Sequence, residues 1–310
     1  MAHPPLALGT MNFGKRTLEK ESLRIVDRAL DLGISIFDTA NAYNDGESER
    51  ILGRALKRGR GQCTIATKCG LARVHGKAEG LSRANLCTAV EASLKRLDTD
   101  CIDIQYLHAP DHATPIEETL DAIATLIAQG KIRDWGISNY ASWQILEMLH
   151  LCDARGLRRP IISQVIYNLL IREIEIEHLA FTGKYNLHTT VYNPLAGGLL
   201  TGKHVPGRPE KGTRFDTNRM YVGRYWSERM FALVELLRAI AHKENIALTA
   251  LAYAWVAGRS GVGSILVGPT SVEQLDVALA ACKIELSPEA LSDIEKVHVD
   301  FQGTDTNYVR

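Results

Sequence analysis

Two hydrophobic periods take turns along this chain, one of about 3.6 residues and one of 2, and that alternation constrains the fold more than any other feature. Leu18 to Leu32 sets apolar residues at Leu18, Ile25, Val26, Ala29 and Leu30, a helical stripe that Gly33 then ends. A β-rich run, Ile34-Ser35-Ile36-Phe37, follows at once. The cycle repeats as helix 48–57, strand 63–67, helix 82–97, strand 102–107, helix 115–129, strand 132–137, helix 142–155 and strand 161–165. It continues as helix 174–185, strand 187–192, helices 228–243 and 249–257, strand 262–267, and closing helices 271–282 and 287–297. With Leu6-Ala7-Leu8 as the first, the strands number eight.

Strand and helix in strict alternation imply a parallel sheet, since a parallel neighbour is reached only through a crossover. Eight such units fit a closed (β/α)8 TIM barrel with extra helices at its C-terminal end. No G-x-G-x-x-G follows an early strand, which counts against an open dinucleotide-binding sheet. The 310 residues suit one barrel domain spanning 1–310, and no low-complexity linker divides them. The one long irregular stretch, 194–226, is rich in Gly, Pro, Arg and Lys; a loop of that length in a compact domain is usually functional or mobile.

Composition removes several classes of partner. Thirty-six basic residues balance 36 acidic ones, so no broad electrostatic footprint favours nucleic acid or an anionic membrane. No stretch approaches the roughly 20 apolar residues of a membrane span, and Met-Ala-His-Pro-Pro does not open a signal peptide, so a cytoplasmic protein is expected. The six cysteines form no C-x-x-C and no zinc-ligand spacing, which points to reduced thiols and no bound metal. A monomer or weak homo-oligomer is expected.

In a barrel of this kind the site lies where strands end and βα loops begin. Strand 2 ends in Phe37-Asp38-Thr39-Ala40 with Tyr43 beyond it, strand 3 in Thr67-Lys68, and strand 4 in Tyr106-Leu107-His108. Singly, an Asp there is usually a cap and a Lys or His a solvated rim group. Together they suit carbonyl reduction, in which hydride arriving at carbon builds negative charge on oxygen and an acid must quench it. Tyrosine alone is too weak an acid. A Lys68 ammonium beside Tyr43 favours the phenolate, Asp38 keeps that ammonium charged, and a neutral His108 orients the carbonyl.

These residues resemble the Asp, Tyr, Lys and His tetrad of the aldo-keto reductases, in family order and approximate spacing. Agreement extends over essentially the whole chain. It includes Gly46-Glu47-Ser48-Glu49, Gly130-Lys131-Ile132-Arg133 before Gly136-Ile137-Ser138-Asn139, and the run from Asn193 through Pro194, Leu195, Gly197 and Gly198 to Lys203. The motifs are nearest those of the aflatoxin-aldehyde-reductase-like and related bacterial branches. The resemblance implies a nicotinamide cofactor and a small-molecule carbonyl substrate. It assigns the nicotinamide carboxamide to Ser138, Asn139 and Gln164, ring stacking to Tyr192, and the pyrophosphate to the Gly-rich run and Lys203.

The last strand runs into Val267-Gly268-Pro269-Thr270-Ser271 and a helix opening with Glu273-Gln274-Leu275. A helix N-terminus after strands 7 and 8 commonly binds phosphate, which assigns Gly268, Thr270, Ser271 and Gln274 to the cofactor. Family members that prefer NADPH commonly carry Arg where Thr270 stands and Asn where Ala278 stands. The hydroxyls here can hold a phosphate without a bidentate cation, so NADPH is expected and NADH is the alternative. Tyr221-Val222-Gly223-Arg224-Tyr225-Trp226 resembles the loop of the branch that reduces aflatoxin dialdehyde and succinic semialdehyde. It offers Arg224, with Trp226, as a receptor for an anionic substrate; an exposed packing arginine is the alternative. A nicotinamide-binding regulatory subunit on the same fold, as in potassium-channel β subunits, is the rival function.

Overall fold

The computed structural model describes residues 4–308 apart from 58, 75, 217 and 305. Within them, strands β1 (Leu6–Gly9), β2 (Ile36–Asp38), β3 (Thr64–Cys69), β4 (Ile102–Leu107), β5 (Ile132–Ser138), β6 (Ile162–Ile166), β7 (His188–Tyr192) and β8 (Ser264–Val267) close into a barrel. All pairs are parallel, and Leu6 opposite Ile265 seals the ring.

The period-2 pattern divides each strand between two surroundings. Ala66, Tyr106 and Ile162 meet inside the barrel, whereas Ile65, Leu107, Trp135, Ile137, Val191 and Ile265 pack outwards in the larger core under the helices. The surrounding helices are α1 (Glu19–Asp31), α2 (Glu47–Leu56), α3 (Arg83–Leu97), α4 (Ile116–Ala128), α5 (Ser142–Ala154) and α6 (His178–Lys184). They continue as α7 (Arg219–Tyr225), α8 (Glu228–Lys243), α9 (Leu248–Ala257), α10 (Val272–Ala281) and α11 (Pro288–Gln302). Serine hydroxyls accept from the first turns of α3, α8, α10 and α11, through Ser82, Ser227, Ser271 and Ser287.

Three expectations change. The helix expected over 174–185 breaks into a 3₁₀ turn, Glu173–Glu175, and α6, because Glu175 pairs with Arg172 and Glu177 accepts from Ser142 instead of continuing one helical face. The stretch 194–226 is not wholly irregular: it holds a 3₁₀ turn, Ala196–Thr201, and α7, whose Tyr221 and Tyr225 are buried one turn apart. The last helix runs on past 297, since Val297 and Phe301 prolong the apolar face begun at Ile294. Separately, the connection after β3 folds a two-residue antiparallel ladder, Arg73–Val74 against Lys77–Ala78.

Candidate active site

Strand register brings the first two groups together. Asp38 ends β2 opposite Ala66, and Lys68 lies two residues further along the adjacent β3, on the same face as Ala66. Both are almost fully buried, at 2% and 1% exposure. A lone ammonium could not stay charged there. Lys68 Nζ donates to Asp38 Oδ1 and, at 3.0 Å, to the Thr39 carbonyl. Gln164 Nε2 donates to the other Asp38 oxygen at 2.8 Å. Burial lowers the Lys68 pKa, and the Asp38 charge opposes that fall.

Tyr43 enters from the turn before α2. Asn44 (φ 51°) and Asp45 (φ 55°) sit in the left-handed region, and Asn44 Nδ2 ties the turn to the Met11 and Phe13 carbonyls at 3.2 and 2.6 Å. The Tyr43 ring lies 5.3 Å from Lys68 Nζ and edge-on to His108, with centroids 5.9 Å apart. Burial, then the Asp38 charge, raises the Tyr43 pKa, so the side chain is a phenol at neutral pH. His108 is pushed down to about 3 by burial and by Lys68, which keeps its imidazole neutral. Its buried Nδ1 has no hydrogen-bond partner. A proton donor, a cation and a neutral polar ring therefore share one end of the barrel.

The neighbouring strand ends carry amides and an aromatic ring. Asn139 (φ 65°) follows β5, and its Nδ2 donates to the His108 carbonyl and to Ser138 Oγ, each at 3.0 Å. Tyr192, at the end of β7, donates to Asn139 Oδ1 at 2.7 Å. Its pKa is pushed up to about 12, burial outweighing the nearby Arg224 guanidinium. Ser138, Asn139 and Tyr192 thus form one connected patch beside His108. Gln164 stands apart, with its amide nitrogen committed to Asp38.

Beyond Tyr192 the backbone turns through Asn193 (φ 65°), Ala196 (51°), Gly197 (71°), Gly198 (107°) and Gly202 (71°). Several N–H groups of the turn are bonded within it, Ala196 N to the Asn193 carbonyl at 2.9 Å, Gly198 N to the Leu195 carbonyl at 2.9 Å and Gly202 N to the Leu199 carbonyl at 3.1 Å. Asn193 fixes the turn: its Oδ1 accepts from Gly197 N at 2.7 Å and its Nδ2 donates to the Tyr225 hydroxyl at 2.8 Å. A Cβ on Gly197 would stand 2.6 Å from the Tyr221 ring, so glycine is required there. Pro194 is buried, Leu195 half-buried and Lys203 exposed. After β8 the Gly268 carbonyl accepts from Asn12 at 2.9 Å. Thr270 N and Oγ1 both donate to Gln274 Oε1, at 2.8 and 3.0 Å, and Ser271 caps α10. Glu21 Oε1 accepts from Val272 N at 3.3 Å.

The crossover also brings in groups that sequence reasoning missed. Arg214 Nη2 donates to Asn12 Oδ1 at 2.7 Å while its guanidinium lies 5.4 Å over Tyr221, and Arg16 Nη2 donates to the Thr213 carbonyl at 2.5 Å. Only the basic character of 194–226 hinted at this. Arg224 lies 5.9 and 6.0 Å over Tyr221 and Tyr225. Trp226 donates to the Gly207 carbonyl at 2.5 Å and packs on Phe215 and Phe231, centroids 4.7 and 5.0 Å away, so it also buttresses the loop. Among the described residues no helix is long and apolar enough to cross a membrane, and no group of three or more His, Cys, Asp or Glu could hold a metal ion.

Residues 5–299 match the Aldo/keto reductase family. The chain is 39% identical over 296 residues to "Aflatoxin B1 aldehyde reductase member 2" of Mus musculus, covering 90% of this chain and 80% of that one. It is 35% identical over 298 residues to "Aldo-keto reductase family 7 member A3" of Homo sapiens, covering 91% and 89%. Over 295 residues it is 33% identical to "Probable voltage-gated potassium channel subunit beta" of Arabidopsis thaliana, covering 93% and 90%.

Proposed function

The chain belongs to the aldo/keto reductase family, and from that premise we propose that Tyr43 is the proton donor of its carbonyl reduction and NADPH its preferred reductant. The protein is an NAD(P)H-dependent oxidoreductase acting on a small-molecule carbonyl compound. The observation that carries the residue assignment is the buried Lys68–Asp38 pair set 5.3 Å from the Tyr43 ring.

The residues fit a nicotinamide dinucleotide. Ser138 and Asn139 offer amide-binding groups, Tyr192 an aromatic face, and the glycine-rich turn from Asn193 to Gly202, with the exposed Lys203 beside it, a cationic edge for the phosphates. When bound, the nicotinamide supplies the hydride. Tyr43 passes its phenolic proton to the carbonyl oxygen as charge gathers there, completing the alcohol. Lys68 stabilises the phenolate left behind, and Asp38 holds Lys68 charged. Neutral His108, next to Tyr43, hydrogen-bonds the same oxygen and sets the carbonyl's orientation.

The finer specificities rest on the loops. Thr270, Ser271 and the first N–H groups of α10 receive the 2′-phosphate once Gln274 releases Thr270. Lacking an arginine, they give NADPH only a modest advantage over NADH. Arg224, beside the Tyr192 hydroxyl, is assigned to the charged end of an anionic aldehyde, with Trp226 shaping that side.

A fluorescence titration with NADPH and NADH in parallel, followed by turnover of 4-nitrobenzaldehyde, tests the reading. Binding with turnover is expected. Tight binding without turnover moves the chain to the regulatory role named by its channel-subunit relative, and absence of binding to either nucleotide overturns the cofactor assignment.

A further inference from the structure

Strand register places Asp38 and Lys68, and His108 directly follows β4, but Tyr43 lies on no strand. It opens a 3₁₀ turn, Tyr43–Gly46, that runs straight into α2. Its distance from Lys68 is therefore set by whatever fixes the first turn of α2 to the strand ends. Two consecutive residues of that turn do so, and neither has any solvent exposure. Ser48 Oγ lies 2.7 Å from Thr10 Oγ1, just past β1, and 2.9 Å from Thr39 Oγ1, just past β2. Glu49 reaches β3, where its Oε1 accepts from Thr67 Oγ1 at 2.6 Å. Neighbouring residues of that strand face opposite ways, so Thr67 meets α2 on the outside while Lys68 meets Asp38 within the barrel.

A carboxylate cut off from water needs a counter-charge. Arg96 of α3 supplies it, Nε donating to Glu49 Oε2 at 2.6 Å and Nη2 to Ser93 Oγ at 3.1 Å. The same side chain packs against Gly46, the last residue of the Tyr43 turn (φ 80°); a Cβ there would stand 2.6 Å from Arg96 Cδ. One Glu49 oxygen is thus engaged by the strand of Lys68 and the other by the arginine packed on the Tyr43 turn. Buried Ile51 and Leu52 also seat α2 on the barrel, but apolar contact has no direction, whereas a short charge-assisted hydrogen bond fixes atom against atom.

We propose that Glu49 is a positioning residue for the proton donor: through Thr67 and Arg96 it sets the spacing between Tyr43 and Lys68. This rests on the reductase reading above. Loss of either Glu49 bond lets the Tyr43 turn drift from Lys68 and slows proton transfer. The groups assigned to the nucleotide, on β5, β7 and the crossover, stay where they are.

Single-turnover rates with 4-nitrobenzaldehyde, in ordinary and heavy water, are measured on wild type, Thr67→Val, Glu49→Gln and Glu49→Ala, together with the aldehyde KM and the NADPH dissociation constant. Thr67→Val keeps the shape of the side chain and the Glu49–Arg96 pair and removes one hydrogen bond to a charged group. Its single-turnover rate is expected to fall about tenfold, with KM and the NADPH constant within about twofold of wild type. The solvent isotope effect on that rate rises, because proton transfer becomes the slow part of the step. Glu49→Gln, which keeps an acceptor for Thr67, loses about threefold, and Glu49→Ala loses more than Thr67→Val. Thr67→Val decides the matter if the Glu49 variants fail to fold. A rate and isotope effect unchanged per nucleotide-binding site, with only a lower resistance to denaturant, makes the tie purely structural and overturns the inference alone. So does a fall in rate matched by an equal weakening of NADPH. Wild-type protein that binds neither nucleotide overturns the reductase reading with it.

Discussion

The tetrad and the crossover after Tyr192 are held by different means. Asp38 and Lys68 ride on paired strands, almost without exposure, and strand register fixes their separation. The crossover is positioned by single side-chain bonds, Asn193 to Gly197 and Trp226 to Gly207 within it, and Arg214 to Asn12 and Thr213 to Arg16 across to a distant segment. A buried, preoriented pair needs no reorganisation when charge develops in the reaction. A loop pinned by exposed or half-buried bonds can release and re-form around a ligand. On the proposed assignment the barrel carries the chemistry and the crossover the recognition, so substitutions in the two regions should separate kcat from nucleotide affinity.

The largest separation is expected from Tyr43→Phe. Removing the acid alone lowers kcat by about 10³, within the usual range for a general acid, while the NADPH dissociation constant stays near wild type. Single-turnover kinetics with a direct binding titration measure both. Near-normal turnover would take the proton-donor role away from Tyr43.

Lys68→Met strikes the same region but reaches stability too. It leaves Asp38 buried with only Gln164 as donor, and breaking a buried pair costs about 3–5 kcal/mol. Chemical denaturation should register that loss alongside a fall in turnover. Equal stability would mean that Asp38 takes up a proton in the variant. In the wild type, activity should fall on the alkaline side before pH reaches lysine's ordinary 10.5, because burial lowers the Lys68 pKa and the ammonium is lost early.

His108 predicts a different pH effect. Its folded pKa, about 3 against an ordinary 6.5, means the unfolded chain binds a proton that the folded one refuses across that interval. Stability should therefore decline as pH falls from 6.5 towards 3, and less steeply in His108→Gln. Identical acid denaturation curves would place a charged imidazole in the fold.

Asn193→Ala tests the crossover. It frees the Gly197 N–H and removes one of the two amide donors on the Tyr225 hydroxyl, leaving only Asn168 Nδ2 at 3.2 Å, so the turn loses its lock. Nucleotide affinity should weaken about tenfold, the scale of one or two hydrogen bonds, with kcat at saturating cofactor nearly unchanged. A matching fall in kcat would erase the division between the two regions.

The same division governs what could be read without coordinates. Asp38, Lys68 and His108 were legible because a polar residue ending an apolar strand has one place to be, and strand order then brings the three together. The pairing of Arg214 with Asn12 was not, since residues so far apart in sequence meet only along the path of an irregular loop. Nor was the direction of Gln164. Its position on β6 follows from the pattern, but its amide could serve either Asp38 or a carboxamide, and only the strand geometry shows that its nitrogen donates to Asp38 at 2.8 Å. The break at residues 176–177 was hidden for a similar reason: the apolar period runs on through 174–185, while the ties of Glu175 and Glu177 to other elements stop the helix.

The smallest expected effect lies at residue 270, where recognition meets a rigid element. Thr270 gives both its donors to Gln274, so a 2′-phosphate gains the helix N–H groups and two hydroxyls only by breaking that arrangement. Nearby cations are already engaged, Arg24 with Glu21 and Arg28 with Asp276. An arginine at 270 adds a bidentate partner and no longer satisfies Gln274 in the same way. Thr270→Arg should raise the preference for NADPH over NADH about fivefold, chiefly by tightening NADPH, an amount in keeping with an exposed charge pair. The gain should shrink as salt rises, since an exposed pair is screened. A preference that stays put would locate the 2′-phosphate away from the start of α10.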